Sequence, residues 1–152
     1  MKKLTENLAL ISITLWVGGL WAIGYMVAPT LFAALHDNKQ MAGMLAGRMF
    51  QVIAYVGMGC GVYLLLFRLS RYGASALKQA FFWAALSMLL LAIGGHFGIQ
   101  PIMESLKAQA MPQEVMKSMF ADRFSTWHGI SSIVYMIESL LGLVLVLKQG
   151  KA

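Results

Sequence analysis

Four long apolar runs separated by short polar joints set the pattern of this chain: residues 8–30, 49–67, 80–99 and 124–147. Each approaches or exceeds the ~20 residues that a helix needs to span about 30 Å of hydrocarbon. The pattern therefore predicts an all-α, integral membrane four-helix bundle, one domain over residues 1–152. The fourth run carries the clearest periodicity. Placed at 100° per residue, His128, Ser131, Ser132, Tyr135, Glu138, Ser139 and Gly142 fall within an arc about 120° wide. Ile130, Ile133, Ile137, Leu140 and Val144 occupy the opposite arc. This predicts a lipid-facing back and a polar front that holds one carboxyl, Glu138, within the hydrocarbon.

The joints read as turns and caps. His36-Asp37-Asn38-Lys39 is turn-like, and Met41 to Met44 resumes a helix. Residues 68–78, with Gly73 and Ser75, are expected as a tight link that places Arg68 in a loop. Between runs three and four, Pro101 is expected to kink or end the third helix. Residues 102–110 read as a helical continuation, and Pro112 suits the first turn of a new helix. This stretch is the expected extramembrane helical cap. The first run is longer than the 7–15-residue core of a signal peptide and lacks a small-x-small end, so it is read as a retained helix.

Composition agrees with that picture. Of 152 residues, 59% are hydrophobic and only 12% charged, about half the charged share of a soluble domain. Lys2, Lys3, Arg68, Arg71, Lys78, Lys148 and Lys151 fall on one side; Lys39, Arg48, Lys107, Lys117 and Arg123 fall on the other, among acids. That bias predicts cytoplasmic N- and C-termini and location in a bacterial inner membrane. The net charge of +6 then reflects a rim against anionic lipid; no basic soluble domain exists to bind nucleic acid. Cys60 is the single cysteine, which excludes an intrachain disulfide.

Candidate chemistry lies in the polar faces. Arg48, Gln51 and Tyr55 share a face of run two, and Thr14, Gly18, Trp21 and Tyr25 share one of run one. If these meet the fourth run, Tyr25, Arg48, Gln51, Tyr55, His128, Ser131 and Ser132 line an outward-facing polar cavity, with Arg48 placed to attract an anion. Glu138 is the intramembrane acid, with Thr14, Ser87 and Tyr63 as its expected partners. His96 and His128 lie at similar depth, the arrangement that holds haem between two histidines. If the small-residue face of run three (Gly94, Gly98) packs inward, however, His96 points away from His128. Met41/Met44 and Met116/Met119 are spaced i, i+3, and thioethers suit Cu(I) as well as ordinary gap-filling. Gly43/Gly47, Gly57/Gly61 and Gly94/Gly98 are spaced for close helix approach, within one chain or between copies in a homo-oligomer. No nucleophile–base–acid set, phosphate loop or CxxC motif points to an enzyme.

Several segments together resemble a known family. Phe124-Ser125-Thr126-Trp127-His128-Gly129-Ile130-Ser131-Ser132, the pair Ala46–Phe50 and Gly57–Gly61, and Gln100-Pro101-Ile102-Met103 are similar, in order and spacing, to the transmembrane protein 205-like family. The resemblance runs from about Leu8 to Leu145. It implies a four-helix membrane protein of unknown molecular activity, whose vertebrate relative is associated with resistance to platinum drugs. It also implies that His128, Gly129, Ser131 and Ser132 belong to the family element. The expected function is binding, and transport, of a small polar or anionic ligand or a soft metal ion. The alternatives are a non-catalytic membrane assembly protein and a haem-binding electron-transfer subunit.

Overall fold

The computed structural model describes residues 2–110 and 117–150. Its regular elements are helical, and four helices are long and apolar enough to cross a membrane. They are α1 (Lys3–Ala34), α2 (Lys39–Tyr72), α3 (Ala80–Leu106, helical on to Ala110) and α4 (Lys117–Lys148). The predicted helix starts and stops have local causes. The Asn38 side chain accepts from the Met41 backbone N–H at 3.0 Å and caps α2. At the other end Gly73, at φ +53°, takes a positive-φ conformation that favours glycine and closes α2. Pro112 and Met116 lie outside the described residues.

Hydrogen bonds and an ion pair gather the N-terminus, the end of α2 and the C-terminus at one end of the bundle. Tyr63 donates to the Thr5 carbonyl at 3.0 Å, and Arg71 meets Glu6 at 2.6 Å. Arg68 reaches the Gln149 carbonyl at 2.7 Å. Expected in a loop, Arg68 instead lies in the last turns of α2, 2% exposed. Its aliphatic stem extends from a helix that runs past the apolar stretch, and the guanidinium stacks 4.0 Å from the Phe81 ring centroid.

The core forms around α1. Trp16, Val17 and Leu20 pack against Ile53 and Leu64 of α2, Phe81, Ala85, Met88 and Leu89 of α3, and Leu145 of α4. Gly57 and Gly61 leave room here for the Trp16 indole, since an added Cβ at either would collide with its ring. At Gly142, by contrast, α4 closes on Val17 and Met88. Ile130, Ile133, Ile137 and Leu140 face outwards, as the apolar arc of α4 requires, whereas Val144 packs against the core.

Pro101 neither ends nor breaks α3. Proline removes a helical hydrogen bond and crowds the carbonyl four residues earlier. The π-helical turn Gly95–Ile99, directly before it, widens the helix and absorbs that mismatch. The same device recurs in α1, where the π-helical turn Ala22–Val27 precedes Pro29. The inward packing considered for Gly94 and Gly98 does not occur. Both glycines are exposed, with nothing near a built Cβ, and His96 turns towards Tyr55 of α2.

Candidate functional site

The polar front of α4 docks on α1 through Glu138, Ser139 and Tyr135. The buried carboxyl of Glu138 is 7% exposed and faces the Trp16 indole N–H. This replaces the expected partners: Thr14 bonds back to the Leu10 carbonyl, and Tyr63 is committed to Thr5. Indole is a donor only, so a buried Trp beside a carboxyl satisfies one of its lone pairs without adding charge. One residue on, Ser139 ties α1 twice. Its Oγ accepts from the Tyr25 hydroxyl at 3.0 Å, and its carbonyl accepts from the Trp21 indole at 3.3 Å. Ser139 Oγ in turn donates to the Tyr135 carbonyl at 2.9 Å.

Tyr135 makes the least regular contact. Its hydroxyl donates to the Leu20 carbonyl and faces the Gly24 backbone N–H. Those two groups would pair directly in an unbroken α-helix, because they are four residues apart. The phenol thus inserts into the ladder of α1 at the π-helical turn Ala22–Val27, a recognised cause of helix distortion. Gly24 makes the insertion feasible, since a Cβ there would overlap the Tyr135 ring. Phe50 and Tyr25 pack edge-on to that ring, with centroids 5.2 and 6.2 Å away. Tyr135→Phe should cost only about 0.6–1 kcal/mol, because Leu20 and Gly24 can then pair with each other. Gly24→Leu should cost about 1–3 kcal/mol through overpacking. Unfolding titrations of both variants in mixed micelles, with hydrogen exchange at the Gly24 amide, test that ordering.

The outer candidates are distributed differently from the single cavity set expected. Tyr25 joins the Ser139 contact, while the Tyr55 hydroxyl lies 3.0 Å from His96 Nε2. His128 is exposed and stacks on Phe124, and Ser132 donates back to the His128 carbonyl. Arg48 is exposed; Gln51 and Ser131 are half-buried. The two histidines considered as haem or metal ligands therefore have separate partners. Among the described residues no three His, Cys, Asp or Glu side chains gather as a metal site. Met41 and Met44 are exposed. Burial on the polar stripe is deepest at Glu138, Ser139 and Gly142. Trp16 escaped the sequence reading because hydropathy counts an indole as apolar and ignores its N–H.

Fold and seam together define a multi-pass helical membrane protein with a buried acid between two of its helices. A family model described as a domain of unknown function (DUF4149) matches residues 11–112, well over half of the chain, and the chain belongs to that family. The matched region takes in α1 from residue 11 on, α2 and the crossing part of α3, and ends before α4. No curated protein and no solved structure matches the chain.

Proposed function

We propose that this membrane protein binds a small cation inside the bundle and carries it across the bilayer, with Glu138 as the binding group. The burial of that carboxyl in the α1–α4 seam, with an indole rather than a lysine or arginine as its hydrogen-bond partner, carries the reading. An acid at this depth costs roughly 2.5–3.5 kcal/mol on insertion scales, and such groups mark ion and substrate paths. The sign of the charge selects the ligand. One carboxylate among the rings of Trp16 and Tyr135 suits an organic cation, attracted by the carboxylate and by the aromatic faces. A proton takes the place of the cation when the site empties. In this reading both termini are cytoplasmic, and Arg48 and His128 belong to the outer approach and not to the binding point. The similarity to the transmembrane protein 205-like family supports a protein that handles a small solute.

The test is binding of tetramethylammonium to the full chain in detergent, followed by tryptophan fluorescence. Glu138→Gln keeps shape and hydrogen bonding but removes the charge, and should weaken binding at least tenfold, about 1.4 kcal/mol. Arg48→Gln and His128→Ala should leave it unchanged. Equal binding by Glu138→Gln would end the proposal; a loss confined to the other two variants would return the site to the outer rim.

A further inference from the structure

A cavity of about 390 Å³ opens at the end of the bundle where the termini meet. It is amphipathic in a particular way. Leu10 and Ile13 of α1 and Phe67 of α2 form its apolar wall, while Arg68, Arg71 and Glu6 supply its charges. Leu10 is also exposed on the flank of α1, so the apolar wall is continuous with the surface that faces acyl chains. The two arginines differ in what they can offer. Arg68 is fixed: it donates to Gln79 Oε1 at 3.1 Å and to the Gln149 carbonyl at 2.7 Å, and it stacks on Phe81. It supplies a permanent buried positive charge at the base of the cavity. Arg71 is half-exposed and is paired only at the surface, with the Glu6 carboxylate at 2.6 Å. Among the described residues that line the cavity, two guanidinium groups stand against one carboxylate.

We propose that this cavity is a binding site for an anionic phospholipid, whose phosphate displaces Glu6 from Arg71 while an acyl chain lies along Leu10, Ile13 and Phe67. Arg71 is suited to the role because its planar fork matches two phosphate oxygens at once. Glu6 acts as an internal stand-in for the phosphate and occupies Arg71 when no lipid is bound. Basic pockets between helices at a membrane rim are recognised lipid headgroup sites. The apolar wall distinguishes this one from a site for a free phosphate ion. The site lies at the opposite end of α2 from Arg48 and is separate from the Glu138 seam, so neither proposal depends on the other.

The experiment uses the full chain in nanodiscs of equal phosphatidylglycerol and phosphatidylcholine, released into the gas phase for native mass spectrometry to count retained lipid. Phosphatidylglycerol should be retained selectively. Arg71→Gln should reduce that retention about tenfold, the ratio for loss of one charge-assisted hydrogen bond. Glu6→Gln should increase it, because the competing carboxylate is gone. The opposite signs are the signature, since an ion pair that served only to hold α1 to α2 would give the same sign for both variants. Arg48→Gln should have no effect. Equal retention of the two lipids, the same direction of change for Glu6→Gln and Arg71→Gln, or displacement of the lipid by inorganic phosphate would each overturn the proposal.

Discussion

Gly57→Leu is expected to unfold the bundle, and Gly57→Ala to weaken it strongly. The Gly57 Cα faces the Trp16 indole so closely that even a methyl group there would overlap Nε1 and its neighbouring ring carbons. Trp16 has nowhere to retreat: it is 1% exposed, with Gly61 and Leu89 across its far edge. Overpacking of this kind costs about 1–3 kcal/mol, occasionally more. Displacing the ring also removes the indole donor from Glu138, worth about 0.6 kcal/mol on average and up to ~1.7 for a hydrogen bond inside a membrane protein. The packing cost is therefore the larger of the two, and it should dominate the loss. Trp16→Phe separates them, because it deletes the N–H and leaves most of the ring in place. The check is the unfolding midpoint of each variant in mixed detergent and SDS micelles. A Gly57→Ala midpoint equal to that of Trp16→Phe would show that the hydrogen bond, and not the packing, governs this contact.

The contrast with Gly94 sharpens the point. Sequence spacing alone gives Gly57/Gly61 and Gly94/Gly98 the same meaning, because i, i+4 glycines flatten one face of any helix. In the fold one pair receives a tryptophan ring while the other opens outwards. The stability of the single chain should therefore tolerate Gly94→Leu. If this chain assembles with itself through a glycine face, the outward-opening Gly94/Gly98 face is available for it, and the Gly57/Gly61 face is not.

The same limit explains what else could be read in advance. Each span was legible from its apolar length, and the inward arc of α4 from its 100° periodicity, since both are properties of a single helix. Glu138, Ser139 and Gly142 lie inside for that reason. Which neighbour each face meets depends on the rotation of every other helix, and no single-helix pattern encodes it. Glu138 thus found Trp16 instead of Thr14, Ser87 or Tyr63. Tyr55 found His96 of α3, and Tyr25 found Ser139 of α4. Pro101 was expected to kink or end α3, and the helix does not end there. A proline predicts a missing hydrogen bond, but the way in which the chain accommodates the loss is settled locally, here by glycine-containing π-helical turns ahead of Pro29 and Pro101.

Arg68→Met is expected to loosen the end of the bundle that holds both termini. The guanidinium donates to the Gln79 side chain, to the Gln149 carbonyl at 2.7 Å and to the Lys148 carbonyl at 3.4 Å. It thereby joins the ends of α2 and α4 to the start of α3. The last carbonyls of a helix lack partners within it and carry the negative end of its dipole, so a buried cation is the natural cap for α4. Hydrogen bonds to a charged group are worth about 1.5–3 kcal/mol each; the 3.4 Å contact is too long to count fully. Methionine fills similar volume against Phe81 but leaves those carbonyls without their donor, so a loss of roughly 2–4 kcal/mol is expected. Arg68→Lys should recover only part of it, because one ammonium cannot reproduce the planar fork or its stacking on the ring. Hydrogen exchange locates the effect: protection should fall in the last turn of α4, residues 145–148, while the Trp16–Glu138 contact stays closed. Uniform loss of protection along α4 would show that Arg68 supports the whole helix and not its end.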